Sequence, residues 1–301
     1  MTSHQSVVGA SLWMVGALAS FSAMAIGGRE LSSELTTFQI LFVRSLVGLI
    51  VVSAILTWAG WGQLRFGRFG THFVRNTIHF AAQYGWFLGI AFIPLAEVFA
   101  IEFTTPIWTA ILAVVFLGER ATRGRIATII IGFVGILIIL RPGAEVISIP
   151  ALAVLGAAIG YACSYAFTKS LGRTDTPLTI IFFMTVIQLP MAFFPALTDW
   201  SLPSPALWPW AVTVGVAALS AHYCIARALR LADAIVVVPM DFLRLPLIAI
   251  VGVLVYAEPL DPWVLAGGVI IFAGNLINVR NSARLEPRLT ERQNEEGHTS
   301  K

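Results

Sequence analysis

Four ionisable side chains stand inside long apolar stretches of this sequence: Arg44, Glu102, Asp241 and Arg244. If those stretches cross a bilayer, each charge costs a few kcal/mol unless it faces a cavity or a partner, because lipid does not solvate it. We predict that Glu102 and Asp241 bind a solute or a proton. The two arginines would then hold the charge of the acids or meet an anionic group of the solute. Ion pairs that only fix helix packing are the alternative.

Aromatic and histidine side chains in the same stretches are a second set of candidates. The rings could stack on a planar or amphipathic organic solute, and the histidines could relay protons. Ordinary packing and hydrogen bonds between helices are the alternative explanation for each of them. The set consists of Phe21, His79, Tyr84, Tyr161, Tyr165, His222 and Tyr223.

Two prolines follow the acids closely along the chain. Pro106 comes after Glu102, and Pro246 comes after Asp241. A proline inside a helix removes one backbone hydrogen bond and bends the helix. We therefore predict that Pro106 and Pro246 are hinges beside the two acids.

The composition indicates what kind of structure must position these residues. Of the 301 residues, 57% are hydrophobic and only 12% are charged, whereas about a quarter of the residues are charged in a soluble domain. At about 20 residues per helical span, the chain has room for ten spans and short connections. The sequence predicts an all-α polytopic membrane protein. It excludes a large soluble catalytic unit and a nucleic-acid-binding module.

Hydropathy predicts ten transmembrane helices. Arginine and lysine gather in alternate connections, so the positive-inside rule places both termini in the cytoplasm. We divide the chain into two five-helix units, 1–145 and 146–281, and a disordered polar cytoplasmic tail, 282–301. The predicted helices are 7–27, 38–58, 72–91, 94–118, 125–140, 150–169, 177–199, 207–231, 234–256 and 262–279.

The two units are related as an internal repeat. At a shift of 139 positions Glu102 aligns with Asp241, and Phe103 aligns with Phe242. The same shift pairs Glu119 with Glu258, both near predicted helix ends, where capping or loop pairing is the favoured role. Because each unit has an odd number of helices, the second enters the membrane upside down relative to the first. Inverted repeats of this kind enclose a central cavity that alternates between the two sides of a membrane.

Several segments resemble a known family. The sequence is similar to the EamA family of the drug/metabolite transporter superfamily, and the second copy departs from its pattern at 257–259 and 279–281. This resemblance implies a ten-helix basket whose cavity is lined by helices 1, 3, 4, 6, 8 and 9. The segments that carry it are Phe42–Arg44, Pro94–Glu97, Thr104–Pro106, Leu117–Arg120 and Ile138–Gly143.

Repeat and resemblance together predict a secondary active transporter. It would move an amino-acid-, nucleoside- or vitamin-like metabolite across the inner membrane. The sequence has no ATP-binding motif, so a gradient or an exchange must drive it, and proton coupling through Glu102 or Asp241 is one route. The alternatives are a membrane receptor or scaffold that transports nothing, and a drug exporter of the same superfamily. The first predicted helix contains no acid, which argues against the simplest multidrug mechanism.

The sequence shows no pattern typical of an enzyme. It has no zinc-protease helix motif, no nucleophile elbow and only five scattered histidines. We expect no catalysis, no cofactor and no metal. The expected partners are a small-molecule solute and the lipid bilayer, without nucleic acid, and a homodimer is left open. Cys163 and Cys224 are interpreted as small packing residues.

Overall fold

The computed structural model of the chain describes residues 2–116, 123–141, 148–231, 237 and 240–277. All regular secondary structure within these ranges is helical. Single 3₁₀ turns lie at Trp61–Gln63, Leu197–Asp199 and Pro205–Leu207. The longer helices are α1 (Thr2–Leu31), α2 (Thr37–Ala59), α3 (Phe69–Phe92), α4 (Leu95–Glu102), α5 (Thr105–Phe116), α6 (Arg123–Leu140), α7 (Ile149–Leu171), α8 (Pro177–Ala196), α9 (Trp208–Leu231), α10 (Arg244–Tyr256) and α11 (Pro262–Ile277).

The prediction of an all-helical membrane protein is confirmed. In the described part of the chain, six helical stretches are long and apolar enough to cross a membrane, and three shorter apolar helices accompany them. One of the six long stretches, Leu95–Leu112, comprises α4 and most of α5. The number of ten spans stays a prediction. Glu119 and the tail from 282 to 301 lie outside the described residues.

Equivalent threonines begin equivalent helices in the two halves of the chain. The Thr36 hydroxyl accepts a hydrogen bond from the backbone N–H of Gln39 at 3.4 Å, ahead of α2. The Thr176 hydroxyl accepts one from the backbone N–H of Thr179 at 3.2 Å, ahead of α8. A side-chain oxygen at this position satisfies a backbone donor that the first turn of a helix leaves free. The repeat therefore extends to the signals that start its helices.

Helices α2 and α8 pack against each other in opposite directions. The Gln39 side chain, at the start of α2, donates to the carbonyl of Asp199, beyond the end of α8, at 2.6 Å. The Thr179 hydroxyl, at the start of α8, donates to the carbonyl of Gln63, beyond the end of α2, at 3.0 Å. The start of each helix thus lies beside the end of the other, so these equivalent helices are antiparallel.

Helices α6 and α11 show the same opposed arrangement. The Thr128 hydroxyl near the start of α6 donates to the carbonyl of Gly274 near the end of α11, at 3.2 Å. Arg141, which follows α6, forms an ion pair with Asp261, which precedes α11. Between these two points the helices approach closely, because Gly135 of α6 faces Gly267 of α11.

The long helix pairs α3 with α7 and α1 with α9 cross between the two halves of the chain. A Cβ atom on Gly89 of α3 would overlap the side chain of Val154 of α7, and one on Gly27 of α1 would lie 2.8 Å from Val214 of α9. Glycine allows the backbones to approach this closely. Each half of the molecule therefore buries its helices against the other half.

Two helices are interrupted directly after the predicted acids. Helix α4 ends at Glu102, a turn occupies Phe103 and Thr104, and α5 follows. In the second half, Asp241 is helical, Phe242 and Leu243 form a turn, and α10 follows. The prediction of continuous helices over 94–118 and 234–256 is therefore wrong at this point.

The position of the prolines explains where the chain turns. Pro106 and Pro246 lie in the first turns of α5 and α10, each just after the interruption. A proline lacks the N–H group, which the first turn of a helix does not need for an internal hydrogen bond. The two prolines therefore start a new helical segment and do not bend a continuous one. Their role as hinges remains a prediction.

Matched glycine substitutions test the packing of α3 against α7. Gly89→Ala forces a Cβ into Val154, and overpacking of this kind costs about 1–3 kcal/mol. Gly156→Ala in α7 meets nothing within 4 Å, and alanine stabilises a helix by up to about 1 kcal/mol relative to glycine. We expect the apparent melting temperature of the purified protein to fall for the first variant and not for the second. Equal melting temperatures would contradict this packing.

Candidate functional site

Two acids and one arginine meet in the interior at the interrupted helices. An Arg244 Nη2–Asp241 Oδ2 ion pair measures 2.7 Å, and the distance from Arg244 Nη1 to Glu102 Oε1 is 3.6 Å. The indole Nε1 of Trp86 donates to Glu102 Oε2 at 2.8 Å. Glu102 ends α4 and Arg244 begins α10, so the two interruptions bring residues of both repeats together. We call Glu102, Asp241 and Arg244 the charged triad.

Aromatic rings surround the guanidinium group of the triad. The Arg244 Cζ atom lies 4.3 Å from the ring centroid of Phe21 and 5.1 Å from that of Phe103. Phe103 in turn stacks on Phe242, its equivalent in the repeat, with ring centroids 4.3 Å apart. A cation over an aromatic face is stabilised by the ring quadrupole. Phe21 is thus the predicted ring that contacts the triad most directly.

The triad is enclosed, yet its acids are not fully covered. The Arg244 side chain is 5% exposed, whereas Glu102 is 15% exposed and Asp241 is 24% exposed. The Asp241 Oδ1 atom has no hydrogen-bond partner within the described residues. With both acids ionised, the triad carries a formal charge of −1. It can therefore hold a cation, a proton or a hydrogen-bond donor of a solute.

Arg44 pairs with neither acid of the triad, although holding their charge was one of the roles expected for it. Its guanidinium group instead donates to Gln83 Oε1 at 3.1 Å. Arg244 pairs with both acids because it begins α10, directly after one interruption, and faces the end of α4. Arg44 is buried and has no carboxylate partner among the described residues.

The histidines and two of the tyrosines lie near the charged groups. His79 shares a 3.0 Å hydrogen bond between its Nδ1 atom and the Gln188 amide, and its ring lies 5.5 Å from that of Tyr161. The ring of His222 lies 5.9 Å from that of Phe21. Tyr165 is half-exposed and lies on the same helix as Tyr161. His222 thus packs on a ring that contacts the triad, and His79 and Tyr161 pack on each other.

Tyr84 and Tyr223 are placed elsewhere. The Tyr84 ring packs on Phe38, with centroids 4.6 Å apart, and the Tyr223 ring packs edge-on against Trp13 at 5.6 Å. No contact joins either ring to the triad in the described part of the chain. Tyr84 directly follows Gln83, which binds Arg44, and Tyr223 directly follows His222, which packs on Phe21. Neighbouring side chains of a helix point about 100° apart, so the two tyrosines face another direction.

The sequence interpretation missed a polar face of α3. Its side chains recur every three or four residues, which places them on one side of a helix. Arg75 donates to the Thr168 hydroxyl of α7 at 3.1 Å, and His72 lies 3.4 Å from Asp175. This periodicity was the signal that could have identified the face. The face consists of His72, Arg75, Asn76, His79, Gln83 and Trp86.

A second network of ion pairs and hydrogen bonds connects helix ends near the start of α4. Arg29, near the end of α1, forms an ion pair of 2.9 Å with Glu258. It also donates to the carbonyls of Ile90 and Ile93, at the end of α3. Glu258 Oε2 accepts from the backbone N–H of Leu95 at 2.9 Å, which caps α4. Glu258 therefore has the capping and pairing role predicted for it.

The backbone after α10 aims Glu258 at this network. Ala257 adopts a left-handed conformation with φ of 53°, and the N–H of Glu258 bonds back to the carbonyl of Gly252 at 3.0 Å. A Cβ on Gly252 would lie 2.5 Å from Glu258 Oε2, so a larger residue would displace the carboxylate from its position in the network. The Tyr256 hydroxyl adds a 2.7 Å bond to Glu30 of α1. The network thus joins the ends of α1, α3 and α10.

Comparison with known proteins agrees with the internal repeat. The model of the EamA-like transporter family matches the chain twice, at residues 9–141 and 148–280. A riboflavin transporter of Vibrio cholerae is 29% identical over 84% of this chain and 86% of its own. An S-adenosylmethionine uptake transporter of Rickettsia bellii is 26% identical, covering 88% of this chain and 91% of its own.

Further similarities extend to an exporter and to a solved structure. A pseudopaline exporter of Pseudomonas aeruginosa is 26% identical over 84% of this chain and 89% of its own. A protein of known crystal structure superposes with a TM-score of 0.66 at 15% identity, covering 92% of this chain and 98% of that one. The structural likeness concerns the fold alone. The two family matches together span most of the chain, and it therefore belongs to the EamA-like transporter family.

Proposed function

We propose that this chain is a secondary transporter that moves a small organic metabolite across the inner membrane by alternating access. The observation that carries the proposal is the charged triad, which joins the interrupted helices of the two repeats inside the protein. Charged groups inside a membrane mark solute or ion pathways, and interrupted helices commonly form transporter sites. Transport is therefore favoured over catalysis and over a purely structural role.

The packing of the helices supports ten spans in two inverted repeats around a central cavity. Equivalent helices of the two repeats, such as α2 with α8 and α6 with α11, run in opposite directions. Two repeats related in this way can exchange conformations and so open a shared cavity to either side. With both termini cytoplasmic, the Arg29–Glu258 network lies at the outer face.

The residues around the triad favour a solute with both rings and polar groups. Phe21, Tyr161 and Tyr165 offer aromatic faces, and the triad offers charges, of which the Arg244 guanidinium lies 4.3 Å from the Phe21 ring. Riboflavin is a vitamin, and S-adenosylmethionine joins a nucleoside to an amino acid. The names of these relatives therefore fit the metabolite classes that we propose. Because an exporter is also among the relatives, flux should be measured in both directions.

The energy for transport must come from a gradient or from exchange. The sequence holds no phosphate-binding glycine loop. Glu102 and Asp241 are candidates for carrying a proton, because both are partly exposed within the interior. We propose that one of them exchanges its proton as the solute binds or leaves.

Neutralising either acid should abolish most transport. A solute is first found by thermal shift against a metabolite library, since a bound solute stabilises the folded protein. We expect Glu102→Gln and Asp241→Asn each to lower its flux in reconstituted vesicles about tenfold or more, because each removes a buried charged partner. Asp199→Asn, which neutralises an exposed acid, should transport normally. Unchanged flux in both triad variants would refute the site, and no flux of any solute would favour a scaffold.

Breaking the Arg29–Glu258 pair should open the outer face. Ser22 lies on α1 between Phe21 and Arg29. It is buried, and its hydroxyl has no hydrogen-bond partner among the residues that the structure describes. In a chain with Cys163→Ala and Cys224→Ala, we introduce Ser22→Cys and label intact cells with a maleimide that cannot cross membranes. We expect Glu258→Gln to raise labelling several-fold.

The control for this experiment is another ion pair at the same face. Asp261→Asn breaks the pair of Asp261 with Arg141, which joins α6 to α11 and does not involve α1. It should leave labelling unchanged. Equal labelling with and without Glu258→Gln would exclude the Arg29–Glu258 network as an outer gate.

A further inference from the structure

We infer that the transported solute carries an anionic group, a carboxylate or a phosphate, and that Arg44 and Arg75 bind it. This inference rests on the proposed function and names its substrate class. Both arginines are buried, with exposed fractions of 4% for Arg44 and 5% for Arg75. Neither forms an ion pair within the described ranges.

Among the described residues, only neutral groups accept hydrogen bonds from the two arginines. Arg44 Nη1 donates to Gln83 Oε1 at 3.1 Å, and its Nε has no hydrogen-bond partner in the described part of the chain. Arg75 donates to the Thr168 hydroxyl at 3.1 Å and to Asn76 Oδ1 at 2.6 Å. Amide and hydroxyl oxygens orient a guanidinium group, but they do not neutralise its charge.

A buried guanidinium without an anion is costly. The penalty for removing an ion from water is several kcal/mol, and an oppositely charged partner must offset it. Arg244 has two such partners within the triad, Glu102 and Asp241. Arg44 and Arg75 have no such partner in the part of the chain that the structure describes. Together the five charges sum formally to +1, with the triad at −1 and the arginine pair at +2.

The arginine pair and the triad adjoin each other. Arg75 lies on the same face of α3 as Gln83, which accepts the hydrogen bond of Arg44. Trp86 follows Gln83 by three residues on that face and donates to Glu102 of the triad. A solute could therefore reach from the arginine pair to the triad along this face of α3.

The chemistry of the guanidinium group indicates what it binds. Its planar donors match the paired oxygens of a carboxylate or a phosphate, and such charge-assisted bonds are short and strong. The charge of Arg244 is already offset by the two acids of the triad, although its Nη1 atom forms no hydrogen bond within the described residues. The unpartnered Nε of Arg44 supplies a free donor for the anion.

The test compares solutes that differ only in the anionic group. Amino acids are paired with their amides, and nucleoside monophosphates are paired with their nucleosides. The full chain in nanodiscs is assayed by thermal shift at constant ionic strength, and the chain in proteoliposomes is assayed by counterflow. We expect at least one carboxylate or phosphate member to bind and to be transported about tenfold better than its counterpart.

Variants then assign the effect to the arginine pair. Arg44→Gln and Arg75→Gln should each remove the preference for the anionic member, and Arg44→Lys should keep part of it because the charge remains. Arg173→Gln, which neutralises an exposed arginine, should keep it in full. If a glutamine variant does not fold, the ranking of Arg44→Lys below the unmodified chain and below Arg173→Gln provides the same assignment.

The two readouts separate this inference from the proposed function. Equal binding and flux of both members of every pair, or a preference that both glutamine variants retain, would overturn the inference and leave transport standing. Anion-dependent binding that both glutamine variants lose, without flux of any solute, would keep the arginine pair as an anion site and overturn the proposed transport.

Discussion

A charged side chain inside a membrane protein needs an opposite charge, because lipid and packed apolar side chains do not solvate it. The structure meets this requirement at Arg244 with Glu102 and Asp241. This pairing constrains the surrounding helices and rings. The helix of each repeat must end where its acid lies, the two interrupted helices must face each other, and the aromatic rings of Phe21 and Phe103 must cover the guanidinium group.

The same requirement links the two halves of the chain. Neither repeat contains the triad alone, since Glu102 belongs to the first and Asp241 and Arg244 belong to the second. The close glycine contacts of α3 with α7 and of α1 with α9 also cross between the halves. A site at such a junction is exposed to any relative motion of the repeats, which is the property that alternating access uses.

Much of this arrangement can be predicted from sequence for a physical reason. Charges within apolar runs are rare and costly, so Arg44, Glu102, Asp241 and Arg244 stand out. The repeat is visible because caps, acids and glycines recur with it, as Thr36 and Thr176 illustrate. The partners of each charge are harder to predict. Whether Arg44 or Arg244 takes Glu102 depends on the path of helices far apart in the chain.

Other differences come from local geometry. The sequence pointed to hinges within continuous helices, but Pro106 and Pro246 begin new segments. Tyr84 and Tyr223 align as a pair in the repeat. They follow Gln83 and His222 by one position, however, and so face another direction. Arg75 escaped notice because it lies near the start of its helix, where a charge usually belongs to the membrane surface.

The polar face of α3 has a consequence for how the protein is made. With six polar or amphipathic side chains on one side, this helix is not among those apolar enough to enter a bilayer by composition alone. Some partners of this face, such as Thr168 of α7 and Gln188 of α8, are synthesised much later. Until the second half emerges, Arg75 and His79 therefore lack hydrogen bonds that they have in the folded protein.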